Sequence, residues 1–106
     1  MKETLKTILS QTSQGIKKIY GPHLDKIILY GSQARGDAEP DSDIDILIVL
    51  NRDFNHAEES NRISLFIANL CLKYNILISC ALASSRQFHE YNNSFFRNIR
   101  REGIPL

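Results

Sequence analysis

The sequence predicts an α/β (α+β) fold: a small mixed β-sheet packed against helices. Three observations predict it. Apolar residues recur at helical spacing near 2–20 and 57–74. Short apolar runs of strand type stand at 26–30, 43–50 and 76–83. The resulting order is helix, strand, loop and short helix, strand, helix, strand, helix, which gives a sheet covered by helices. A chain of 106 residues has room for one core, so residues 1–106 are expected to form a single domain.

The first helix carries Leu5, Ile8, Leu9, Thr12, Ile16 and Ile19 on one face, with Lys and Gln on the other. Gly21-Pro22 stops it, because Gly accepts the left-handed end and Pro cannot continue a helix. KIILY follows as a strand and breaks at Gly31-Ser32. In the next strand, DIDILIVL, alternation places Ile44, Ile46, Ile48 and Leu50 on one face. Asp43, Asp45, Leu47 and Val49 fall on the other, which is polar only at its start. That pattern suits a strand packed in a core with its N-terminal end at a polar cleft. The second long helix buries Ile63, Phe66, Ile67, Leu70, Cys71 and Tyr74. ILISCALA supplies a third strand. One or two short helices follow over 84–101, with Ser85 as cap of the first and Phe95, Phe96 and Ile99 as core of the second. Gly103 and Pro105 close the element.

Composition removes several function classes. Lys+Arg 13 against Asp+Glu 12 leaves a net charge of +1, which opposes a nucleic-acid binder that depends on surplus cations. No apolar run approaches the roughly 20 residues of a membrane span, and the N-terminus has no apolar signal core, so a cytoplasmic protein is expected. Cys71 and Cys80 are isolated and are expected to be reduced, buried small hydrophobes. His23, His56 and His89 lack ligand spacing and are expected at the surface. Lys17-Lys18 and Arg97, Arg100 and Arg101 are expected on solvated helix faces.

The charge is unevenly spread. No basic residue lies between Arg35 and Arg52, and Asp37, Glu39, Asp41, Asp43 and Asp45 all fall in that stretch. Two parts of it suggest chemistry. Gly31-Ser32-Gln33-Ala34-Arg35-Gly36 is a strand-to-helix turn, where free backbone N–H groups attract phosphate. Gly31 permits close backbone approach, the Ser32 hydroxyl is a donor, and Arg35 offers a planar fork for phosphate. Asp43 and Asp45, at i and i+2 on a strand, point the same way. Two adjacent anions are costly unless a cation joins them. Mg²⁺ suits that role, since it takes one or two carboxylates plus substrate phosphates. Cradle and carboxylates together describe a metal–nucleoside triphosphate site.

The stretch GSQARGDAEPDSDIDILIVL resembles the minimal nucleotidyltransferases of the DNA polymerase β superfamily, as does the ending FFRNIRREGIPL. The resemblance implies the polymerase-β-type nucleotidyltransferase fold and attack of a hydroxyl on the α-phosphate of an NTP. Gly31 and Ser32 would then hold the β- and γ-phosphates, Asp43 and Asp45 would ligate Mg²⁺, and Arg35 would support the triphosphate charge. It also implies ATP as the NTP, and a HEPN-domain toxin as partner. There the nucleotidyltransferase is the antitoxin, and some members place AMP on a tyrosine of the toxin. A homo-oligomer is left open.

One departure bears on activity. Active members of this superfamily typically carry a third carboxylate on a later strand, but 75–83 holds no acid, only Asn75 and Ser79 as polar residues. Glu58, Glu59 and Glu90 are the nearest other acids in the chain and would have to reach the site from helices. General-base help is worth about 10²–10⁴ in rate, so binding of Mg–NTP is better founded than transfer. The alternative is an NTP-binding antitoxin that neutralises its partner by direct contact.

Overall fold

The computed structural model describes residues 3–39 and 41–106. Helix α1 runs Glu3–Tyr20 and is followed by a 3₁₀ turn, Gly21–His23, and strand β1, Leu24–Tyr30. Lys2, at the start of the helix expected from sequence, lies outside the described residues. A single helical turn, α2 (Ser32–Arg35), leads by a loop to β2, Ile44–Leu50. Then come α3 (His56–Tyr74), β3 (Ile78–Ser84), α4 (Ser85–Glu90), α5 (Ser94–Glu102) and the two-residue strand β4, Ile104–Pro105. No described helix is long and apolar enough to cross a membrane.

The sheet order is β3-β2-β1-β4. β1 is antiparallel to both β2 and β4, and β2 is parallel to β3. The mixed sheet follows from the connections. The β1–β2 link returns the chain beside itself, whereas a parallel pair needs a long crossover, here α3.

Both faces of the sheet are covered. On one, Ile8, Leu9 and Ile16 of α1 and Ile63, Ile67 and Leu70 of α3 meet Ile27, Leu29, Ile44, Ile46, Ile48, Leu50 and Ile78. On the other, Phe88 of α4 and Phe96 and Ile99 of α5 meet Ile28, Leu47, Val49 and Ala83. The alternation predicted for β2 is therefore realised on both faces. From Ile46 to Leu50 it is completely buried, as a strand covered on both sides must be.

The departures at the element ends have local causes. Asn75 takes no part in β3: at φ 51 it is the left-handed cap of α3, with its N–H donating to the Cys71 carbonyl. Ser84, not Ser85, caps α4, in a reciprocal pair with Gln87. Ser85 donates instead to Asp25 at 2.7 Å. β4 escapes the periodicity because two residues ending in Pro carry none, and Pro fits there because the strand is an edge. Both cysteines are free but only half-buried. The Cys71 sulfur accepts the Ile78 N–H at 3.3 Å. The three histidines, Lys17 and Lys18 are exposed as expected. Arg100 is more than a solvated face, since it donates to the carbonyls of Phe88 (2.6 Å) and Tyr91 (3.0 Å) and ties α4 to α5.

Truncating the centre of β2 should be severe. Ile48→Ala opens a cavity at a fully buried site and is expected to lower unfolding free energy by about 2–5 kcal/mol, read by urea titration. A loss under about 1 kcal/mol would show that β2 is not the packing centre.

Candidate active site

The site begins where β1 ends. Gly31 has φ 74 and ψ −157, a conformation open in practice only to glycine. There is a second reason for glycine: a Cβ at this position would sit 2.5 Å from Oδ2 of Asp45. The Asp45 carboxylate therefore lies directly over the Gly31 backbone. The two motifs recognised separately in the sequence meet at this contact.

The turn is self-bonded. The Gly31 carbonyl accepts from the N–H groups of Ala34 and Arg35, both at 3.1 Å. The Ser32 carbonyl accepts from Gly36 at 3.0 Å and Asp37 at 3.2 Å. Gly36, at φ 81, closes the turn in the left-handed region. The Ser32 and Gln33 N–H groups precede the helical ladder, as at any helix start.

The return loop sets the carboxylates. Ser42 Oγ accepts the Glu39 N–H at 2.8 Å, while the Ser42 N–H donates to the Glu39 carbonyl at 3.0 Å. Gln33 Nε2 donates to the Ser42 carbonyl at 3.2 Å, which ties the loop to α2. Asp43 follows just outside β2, exposed, and Asp45 is the second residue of the strand, half-buried. Burial pushes the Asp45 carboxyl above its ordinary 3.8, the like charge of Asp43 adds to this, and Arg35 opposes it.

Arg35 is held by carboxylates. Its Nε lies 3.1 Å from Asp37 Oδ2, and its Nη1 lies 3.7 Å from Glu102 Oε2 at the end of α5. These acids, Asp37 first, raise the guanidinium pKa. Glu102 was not singled out in the sequence. It comes to the site only through the packing of α5 on the sheet, which no local spacing reports.

The acids considered as a third carboxylate lie elsewhere. Glu59 is buried on α3, 2.8 Å from Arg62 and 3.9 Å from Arg52. Glu90 pairs with Arg86 at 3.3 Å. Glu58 stands in the first turn of α3, near the opposite end of β2. Among the described residues, no three His, Cys, Asp or Glu side chains form a group able to hold a metal ion. Among those residues, Asp43 and Asp45 come together as a pair of carboxylates.

Two aromatic residues border the pair. Tyr30 is the cross-strand partner of Asp45, and its ring meets Phe95 edge-on at 5.6 Å. Burial, then the Asp45 charge, raises the Tyr30 phenol. Phe95, expected in the core, is 41% exposed, because α5 aims Phe96 and Ile99 at the sheet instead. A cleft of about 510 Å³ adjoins the far side of α2, lined by Leu5, Ile8, Gln33, Ala34 and Ile104 among others. It does not include either aspartate.

The strand-turn-helix cradle with two carboxylates on the neighbouring strand, set on this sheet, defines a nucleotidyltransferase. The chain belongs to the nucleotidyltransferase domain family, whose profile matches residues 9–95. Among its relatives is a protein of Methanocaldococcus jannaschii named as a protein adenylyltransferase. It is 40% identical over 92 residues, covering 86% of each chain. A nucleotidyltransferase structure from Sulfolobus solfataricus superposes with a TM-score of 0.61 at 19% identity, over 99% of this chain and 86% of that one. The complex of a tri-AMPylated Shewanella oneidensis HEPN toxin with its MNT antitoxin matches with a TM-score of 0.52. There the identity is 16%, over 92% of this chain and 70% of the other. The two structural likenesses show a shared fold.

The raised Asp45 carboxyl has a stability consequence. The fold favours the protonated form. That contribution is complete below 3.8 and is lost as pH rises through the folded-state value. At neutral pH the ionised group costs stability. Asp45→Asn is therefore expected to melt above the native chain at pH 7, with the advantage shrinking below pH 3.8. A melting point at pH 7 equal to or below native would contradict this account of the site.

Proposed function

We propose that this protein transfers AMP from ATP to a hydroxyl of a partner protein, with Mg²⁺, and that the partner is a HEPN-type toxin which it restrains as an antitoxin. The contact between Asp45 and the Gly31 backbone carries the reading, because it joins the carboxylate pair to the phosphate-type turn. The names of the relatives agree with it: one is a protein adenylyltransferase and another is seen with an AMPylated toxin. Use of ATP fits a cytoplasmic protein.

The residues fit the metal–nucleotide complex. A side chain at position 31 would fill the space over which Asp45 lies. Two carboxylates on one strand face match the one or two that Mg²⁺ accepts beside substrate phosphates. Bound there, Mg²⁺ would neutralise charge on the triphosphate and on the leaving pyrophosphate.

The chain's own groups do the rest. Asp43 and Asp45 would hold the cation. The N–H groups of the turn and the Ser32 hydroxyl bind the β- and γ-phosphates, and Gly31 keeps the approach open. Arg35 exchanges its carboxylate contacts for phosphate oxygens. The bond formed joins the acceptor oxygen to the α-phosphorus. The bond broken joins that phosphorus to the α–β bridging oxygen, so pyrophosphate leaves, and the hydroxyl proton passes to a base. Tyr30 and Phe95 give the site an apolar border on which an acceptor segment can rest.

A second reading rests on one observation: the β3 residue paired with Asp45 is Ser79, not an acid. Under it, the protein binds nucleotide and restrains its partner by contact alone.

Labelled ATP separates the two. With Mg²⁺ and the partner toxin, the native chain is expected to label the partner. Asp43→Asn and Asp45→Asn should each lower labelling by about 100-fold or more, since loss of even an outer partner of a metal ligand costs about 10–100-fold. Equal labelling by the double variant would overturn the assignment. Full neutralisation of the toxin by that variant, without label, would establish the second reading.

A further inference from the structure

The sheet register sets a row of side chains across the candidate site. Tyr30 of β1 pairs with Asp45 of β2, and Asp45 pairs with Ser79 of β3. Residues directly opposite on neighbouring strands share a face, and the strands lie about 4.8 Å apart. The three side chains therefore stand within reach of one another and of whatever Asp45 binds.

Only the middle member is an acid. Tyr30 is occupied on its outer side by Phe95. Ser79 is exposed, and the next residue on its face, Ala81, is apolar and pairs with Leu47. Asp37 and Glu102, beside the turn, are engaged by Arg35, and Glu39 lines the cleft that adjoins α2. Among the described residues that share this face, Asp43 stands beside Asp45 as the further carboxylate.

We propose that this chain builds one divalent-cation position, where a two-metal transferase builds two, and that Ser79 is the residue that decides it. The inference rests on the nucleotidyl-transfer reading and deepens it. In two-metal sites the cations lie about 3.5–4 Å apart. Their repulsion is four times that of unit charges at the same distance. Bridging carboxylates must offset it. Asp43, Asp45 and a triphosphate satisfy one hard cation. A hydroxyl at position 79 is a neutral donor and brings no charge for a second. The group that takes the proton from the acceptor hydroxyl must then come with the acceptor, at the open place beside Ser79.

The test counts metal, not turnover. Mn²⁺ bound to the full chain is measured by electron paramagnetic resonance, with α,β-methylene-ATP present so that the α–β link stays intact. One Mn²⁺ per bound nucleotide is expected for the native chain and for Ser79→Asn, and two for Ser79→Asp. Two Mn²⁺ in the native chain would overturn the inference while leaving the nucleotide site standing. So would one Mn²⁺ in a Ser79→Asp chain that melts cooperatively and binds nucleotide. If the native chain binds no nucleotide, the nucleotidyl-transfer reading falls, and this inference with it.

Discussion

Everything in this structure depends on β2 being dry along most of its length and charged at its start. From Ile46 to Leu50 it is buried on both faces and anchors both halves of the core. One residue earlier, the same strand presents Asp45 to the Gly31 backbone. The carboxylate is therefore held on the most deeply buried strand, so its position is set by core packing and not by a loop. That is the placement the proposed nucleotide site needs.

The electrostatics follow from that placement. Asp43 and Asp45 repel each other, and partial burial makes the Asp45 charge still less favourable. Arg35 relieves part of this, while Asp37 and Glu102 hold Arg35 beside the pair. The site is thus balanced around one guanidinium among several carboxylates. Under the proposed function, such a balance lets partners exchange: a cation would satisfy the aspartates, and a triphosphate would satisfy the arginine. Stability is given up at the site and recovered in the core beneath it, which is the usual arrangement where function sets the local charge.

Much of this was legible in the sequence because it is local. The faces of β2, the stop at Gly21-Pro22, the glycine turn and the paired aspartates all come from spacing over a few residues. What stayed hidden depends on tertiary contact. Glu102 lies 67 positions from its partner Arg35 and gives no local sign of meeting it. Phe95 looks like core by type, yet α5 rotates it outward beside Tyr30. Asn75 looks like a strand residue until α3 is seen to need a left-handed cap. The absence of an acid on the third strand could be seen in the sequence. That Ser79 is the position facing Asp45 could not, because register is a property of paired strands.

The central claim is that Asp43, Asp45 and the turn at Gly31-Ser32 form one metal–nucleotide site. A crystal structure with Mn²⁺ and α,β-methylene-ATP tests it most directly, because manganese is located by its anomalous signal. The account predicts an anomalous peak between the two aspartates, with the triphosphate on the N–H groups of the turn and Arg35 turned towards it. Nucleotide bound in the cleft on the far side of α2, with no peak at the aspartates, would contradict it.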